Sequence, residues 1–176
     1  QLTADRWGGS IHNTFRLLAD LGIGVFMVDN RGTAGRGRDF ETAIHRRLGE
    51  LEVADQVAAA RWLGAQDWVD PERIAVYGGS YGGYMTLMLM LKAPELFRAG
   101  VAYAPVTDWR LYDSIYAERY MDTPEENPAG YESSAPLTWA ENLRGVLLLA
   151  HGSMDNNVHL QNTLQLVGSL AKADKR

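Results

Sequence analysis

Apolar residues along the chain fall into segments of alternating period. Ile11, Phe15, Leu18 and Leu21 recur at helical spacing and stop at Gly22, which predicts a first helix. Gly24 to Asp29 is a continuous apolar run, the pattern of a strand buried on both faces of a parallel sheet. The Gly- and Arg-rich stretch from Asn30 to Gly37 then reads as a loop leaving that strand. Leu51, Ala54, Val57, Ala58, Trp62 and Leu63 mark one face of a long helix that ends near Asp67. After Pro71 a short β-prone run, Ile74 to Tyr77, leads to Ser80, and Tyr84 to Leu91 predicts the helix behind it. Gly100 to Ala104 predicts a third strand closed by Pro105, and Val146 to Ala150 a fourth. Between them, Thr107 to Asn142 reads as irregular or lightly helical. Leu160, Leu164, Val167 and Leu170 predict a closing helix.

Strands alternating with helices imply an α/β fold with a mostly parallel sheet and helices on its faces. Four strands are few for that architecture, and the chain stops where a further strand would follow the last helix. The pattern is that of an internal piece of a larger domain, cut at both ends. At 176 residues and 46% hydrophobic the composition is that of one globular domain. The net charge of −5, with no basic run longer than Arg46-Arg47, gives no reason to expect nucleic acid. No apolar stretch reaches the length of a membrane span. The absence of cysteine excludes thiol chemistry and disulfides, and fits a cytoplasm or a bacterial periplasm.

The chemistry centres on Gly78-Gly79-Ser80-Tyr81-Gly82-Gly83. A Gly-x-Ser-x-Gly between a predicted strand and a predicted helix is the setting of a nucleophile elbow. Gly78 and Gly82 are expected to flank a turn too tight for side chains, with Gly79 and Gly83 easing the packing of the helix. The helix N-terminus would point its free N–H groups at an oxyanion forming beside Ser80. A glycine-rich turn with an incidental serine is the plainer alternative. With Ser80 as nucleophile, an acid and then a histidine should follow. Asp155, in the polar turn after Val146–Ala150, fits the acid; it could equally cap the next helix. His159 follows by only four residues and reads as a loop or helix-surface group, and His151 as a strand-end residue bonded to nearby backbone. A triad histidine is therefore expected outside this chain. Tyr112, Tyr116 and Tyr120, four apart, suit either a helix face packed on a core or an aromatic pocket.

Three runs bear a resemblance: the elbow itself, Tyr112 to Met121, and His151 to His159. All three are similar to the catalytic domain of the dipeptidyl peptidase IV branch of the prolyl oligopeptidase family of serine peptidases. Arg46 to Gly49, Glu52 to Gln56 and Val101 to Val106 are similar too. The resemblance implies an α/β-hydrolase fold, Ser80 as nucleophile, Asp155 as triad acid and the Tyr81 N–H as one oxyanion donor. It implies a pocket for the residue before the cut bond lined by Val106, Trp109, Tyr112, Tyr116 and Val158, with Asn157 bonding a substrate carbonyl. The second oxyanion donor, the triad histidine loop, the first strands and a β-propeller domain that grips the substrate amino terminus would lie outside the chain. Gly79 stands where that branch usually carries Trp. The implied partners are peptides with penultimate Pro or Ala, and a second subunit in the full-length enzyme; no cofactor is implied. Another peptidase or esterase of the same family, or a catalytically inert piece, are the alternative readings.

Overall fold

The computed structural model describes residues 10–175, in two compact units that divide between Ala43 and Ile44. The first unit holds helix α1 (Ser10–Asp20) and the short helix α2 (Arg38–Thr42). The helix stop at Gly22 forms as the sequence predicts. Gly22 takes φ 78°, donating to the Ala19 carbonyl at 2.9 Å while Ile23 donates to that of Leu18 at 2.8 Å. This pairing closes a helix C-terminus and needs a residue tolerant of left-handed backbone. Among the described residues no strand is assigned over Gly24–Asp29, where the sequence predicts one, and Phe26 is 43% exposed.

The second unit carries the sheet. Helix α3 (Leu51–Gly64) precedes strand β1 (Ala75–Gly79), helix α4 (Tyr81–Lys92) and strand β2 (Ala99–Tyr103). Helices α5 (Ser114–Met121) and α6 (Pro128–Ser134) follow, then strand β3 (Val146–Ala150) and helix α7 (Gln161–Lys172). The strands lie in the order β1-β2-β3, all parallel, with Ala75, Ala99 and Val146 in register at one end and Gly79, Tyr103 and Ala150 at the other. Three strands are thus present among the described residues, where the sequence predicts four.

Helix α4 is the centre of the core. Its residues from Leu87 to Leu91 are all buried, as are Gly83, Tyr84 and Thr86. Burying five such side chains contributes roughly 1.5–3 kcal/mol each. Close approach to the sheet depends on Gly100, where a Cβ would lie 2.8 Å from Met90 Cγ. The strand face opposite α4 is solvent-exposed in part, with Tyr77 72% and Leu148 59% exposed.

Two helices bury their predicted faces only in part: Leu51, Val57 and Leu170 face the core, but polar residues share the interior and some predicted positions are exposed. On α3 the buried residues are Glu52, Val53 and Ala60, while Ala54, Ala58 and Trp62 are exposed. On α7 they are Asn162, Thr163, Leu166 and Leu170, while Leu164 and Val167 are exposed. In both cases polar side chains take interior positions because partners wait there. Thr107 donates its N–H to Asn162 Oδ1 at 2.9 Å and its hydroxyl to the Asn162 carbonyl at 2.8 Å. The Tyr81 hydroxyl donates to Glu52. Apolar periodicity alone does not see such bonds.

The region from Thr107 to Asn142 is more ordered than its composition suggests. Asp113 caps α5, accepting the Tyr116 N–H at 2.8 Å, and Asn127 caps α6, accepting from Gly130 at 3.2 Å. The Arg46 guanidinium pairs with Asp122 and donates to the Glu126 carbonyl at 2.6 Å, while Asn127 donates to the Arg46 carbonyl at 2.9 Å. These contacts tie the chain before α3 to the C-terminal end of α5, and so hold Tyr116 in place.

Candidate active site

Ser80 is the first residue beyond β1 and the N-cap of α4, with φ 55° and ψ −119°. That backbone is strained for any residue with a Cβ. The strain is held by its surroundings: the Ser80 N–H donates to the Tyr103 carbonyl at 2.9 Å, and its own carbonyl accepts from Tyr84 at 3.0 Å. Ala104, at the same edge of the sheet, is also left-handed at φ 44°, and donates to the Ala150 carbonyl at 2.8 Å. The two turns meet at Gly83, where a Cβ would lie 2.7 Å from the Tyr103 carbonyl oxygen and 3.2 Å from Pro105 Cα. Gly78 is as constrained, since its Cβ would land on the Gly82 backbone. Two expectations about the glycines need correction. A Cβ at Gly82 would meet open space, and one at Gly79 only ordinary contact with Tyr103 at 3.4 Å. The crowding is on the inner side of the turn, toward α4, and Gly79 points to the other face.

Ser80 is exposed and Tyr81 half-buried. As the first residue of α4, Tyr81 has an N–H with no carbonyl four residues back, so it is available beside the serine. The Tyr81 ring extends inward, 5.3 Å from Tyr84 and 5.7 Å from Trp109 between centroids. Burial raises its hydroxyl well above the ordinary pKa of 10, and the charge of Glu52 adds to the shift. Burial likewise raises the Glu52 carboxyl above 4.5.

Asp155 follows β3, two strands from β1 in a parallel sheet, so both residues sit beyond the C-terminal edge. Two strand spacings are about 10 Å. Asp155 Oδ1 accepts the N–H groups of Asn157 at 2.9 Å and Val158 at 3.0 Å, an Asx turn within its own loop. It does not cap α7, whose N-terminus at Leu160 has no side-chain cap. His151 braces this loop from beneath: Nε2 lies 2.7 Å from the Val158 carbonyl oxygen and Nδ1 2.7 Å from Thr163 Oγ1. Its Nε2 is also 3.6 Å from Asp155 Oδ2. His159 is turned to its own helix, Nδ1 accepting the Gln161 N–H at 3.2 Å.

The aromatic residues assemble into one train. Trp109 is fully buried and stacks on Tyr116 at 5.7 Å and 18° between planes. Tyr112 meets both edge-on, at 6.0 and 5.4 Å, and Tyr120 packs on Tyr116 at 4.9 Å. Tyr112 is not on the helix with the other two, because Asp113 caps α5 after it. It turns outward, and its hydroxyl donates to Asn157 Oδ1 at 2.8 Å. The segment after β2 is thereby joined to the Asp155 loop. The Tyr116 hydroxyl is pushed up to about 12, first by burial and then by Tyr120 and Tyr112. Val106 and Val158 are buried in the same hydrophobic cluster. The bracing pairs His151–Thr163 and Thr107–Asn162 are absent from the sequence reading. Polar residues at interior positions of α7 are their only trace in the sequence.

A strained serine between a parallel strand and a helix, with a carboxylate two strands away on the same edge, defines an α/β-hydrolase-like fold. The comparisons place it more narrowly. Residues 10–176 match the model of the prolyl oligopeptidase family, and the chain belongs to that family. It is 49% identical over 151 residues to a probable dipeptidyl peptidase 4 of Neosartorya fischeri, covering 85% of this chain and 20% of that protein. With a probable dipeptidyl-aminopeptidase B of Aspergillus terreus it shares 47% identity over 156 residues, 86% of this chain and 17% of the relative. Among solved structures, dipeptidyl peptidase 4 of Porphyromonas gingivalis superposes with a TM-score of 0.83 at 48% identity, covering 85% of this chain and 21% of that one. The chain thus spans about a fifth of the length of these relatives.

Proposed function

We propose that this chain carries the nucleophile and acid of a serine exopeptidase that releases N-terminal dipeptides with Pro or Ala in the penultimate position. The observation that carries this reading is the Ser80 elbow, strained at φ 55°, exposed, and followed by Tyr81, whose ring meets Trp109. Ser80 Oγ attacks the carbonyl after the second residue, the amine leaves, and water then releases the dipeptide from the acyl-enzyme. The Tyr81 N–H receives the oxyanion. Asp155 orients a histidine, which takes the Ser80 proton and passes it to the leaving amine, and the carboxylate stabilises the imidazolium in between. Trp109, Tyr112 and Tyr116 with Val106 and Val158 bury the penultimate side chain, a flat apolar group suited to ring faces. Asn157, held by the Tyr112 hydroxyl, keeps its side-chain amide N–H groups for a substrate carbonyl.

Residues 1–176 read as part of an α/β-hydrolase peptidase domain, with the histidine, a second oxyanion donor and a β-propeller supplied by sequence outside them. That reading rests on the share of the relatives' length matched here. It carries a homodimeric full-length enzyme as its further proposal. Among the described residues no helix is long and apolar enough to cross a membrane.

The test uses the protein at its natural full length. It should cleave Gly-Pro amides in preference to N-acylated amino acid amides or simple esters. Ser80→Ala or Asp155→Asn should lower kcat by roughly 10⁴-fold or more, with KM little changed. Preference for acylated substrates would select an acylaminoacyl peptidase or esterase instead. Full activity of Ser80→Ala would end the hydrolytic reading.

A further inference from the structure

Beneath the elbow lies a carboxyl that the reaction just described does not use. Glu52, in the first turn of α3, is 1% exposed. It is the only Asp or Glu fully buried among the described residues. A carboxylate is among the costliest groups to remove from water, so its position needs an account beyond filling space. Both of its oxygens are engaged: Oε1 accepts the Tyr81 hydroxyl at 2.5 Å and Oε2 the Gly49 N–H at 3.0 Å. Two donors on one carboxylate match its ionised form. The partner that matters is Tyr81, the residue next to Ser80.

Tyr81 is held at both ends. Its main chain is the junction of elbow and helix, its ring lies against Tyr84 and Trp109, and its hydroxyl ends on Glu52. A phenol fixed at its tip and on its ring leaves Cα, and the N–H attached to it, little freedom to turn. The same ring lies against Trp109, which in turn stacks on Tyr116. We propose that Glu52 is a positioning residue: through the Tyr81 hydroxyl it orients the Tyr81 N–H beside Ser80, and through the Tyr81 ring it seats Trp109 under the aromatic pocket. This rests on the hydrolytic reading of Ser80.

The test compares Tyr81→Phe, Glu52→Ala and Glu52→Gln in the protein at natural full length, by Gly-Pro amide hydrolysis and by the rate of Ser80 labelling with a fluorophosphonate. Misplacing a donor by a fraction of an ångström should lower kcat and labelling by about tenfold in Tyr81→Phe, with KM within about twofold. Glu52→Ala should lose at least as much, and Glu52→Gln should recover part, because its amide oxygen still accepts the Tyr81 hydroxyl. The double variant Tyr81→Phe, Glu52→Ala should be no worse than Glu52→Ala alone, since both remove one bond. Unchanged kcat in Tyr81→Phe would overturn the proposal, as would additive losses in the double variant or a change confined to KM. If Glu52→Ala does not fold, Tyr81→Phe and Glu52→Gln decide it. Failure of the unmodified protein to hydrolyse or label would instead overturn the hydrolytic reading itself.

Discussion

At the scale of single residues, the elbow shows how one sequence pattern hides unequal demands. Four glycines surround Ser80 and Tyr81, and by type alone each is an equal candidate for a position without room for a side chain. The geometry separates them. Gly78 and Gly83 face α4 and the Ala104 turn, where a Cβ would collide with backbone that cannot move aside. Gly79 faces the other side of the sheet, where Tyr103 leaves ordinary contact distance. Gly78→Ala should therefore destabilise the protein by about 1–3 kcal/mol, the usual cost of overpacking, and abolish fluorophosphonate labelling of Ser80. Gly79→Ala should stay within about 0.5 kcal/mol by thermal unfolding and keep its labelling rate.

At the scale of elements, the strand–turn–helix unit and the position of Asp155 were legible because each depends on a short local signal. Val146–Ala150 forms as predicted, and the elbow strand and helix differ by a few residues at their ends. What periodicity missed were the polar members of the interior faces of α3 and α7, since it assigns burial by apolarity. Asn162 is buried while Leu164, 61% exposed, is not, because Asn162 completes the hydrogen bonding of Thr107. The Thr107–Asn162 pair links α7 to the segment bearing Val106 and Trp109, so it is predicted to serve the pocket as well as the fold. Asn162→Ala leaves the Thr107 N–H buried without an acceptor, and should cost about 1–3 kcal/mol in chemical denaturation. In a Gly-Pro amide assay it should raise KM more than it lowers kcat, because the pocket wall moves while Ser80 does not. Asn162→Asp keeps the acceptor and should recover part of the binding.

For the molecule as a whole, the site's buried acid should be visible in how stability depends on pH. Burial is the main reason the folded protein holds the Glu52 proton above the ordinary 4.5, with Asp55 adding to the shift; bonds from Tyr81 and Gly49 oppose it. The folded chain therefore binds this proton more tightly than the unfolded chain does. The stability linked to it is fully present below pH 4.5 and is lost as the pH rises through the folded-state value. Other groups titrate over the same range, so the contribution must be isolated by comparison with a variant that cannot titrate there. Glu52→Gln is that variant. Its loss of an acceptor for the Gly49 N–H adds an offset that does not vary with pH. The difference in Tm, Glu52→Gln minus unmodified protein, should rise as the pH climbs above 4.5 and then level off once Glu52 is ionised in the fold. A difference that falls over that range would mean the two donors outweigh burial. A flat difference would mean that the folded and unfolded chains bind the proton equally. The rising branch also sets a limit on the site: the Glu52–Tyr81 bond is at full strength only on its alkaline side, where the carboxylate is ionised.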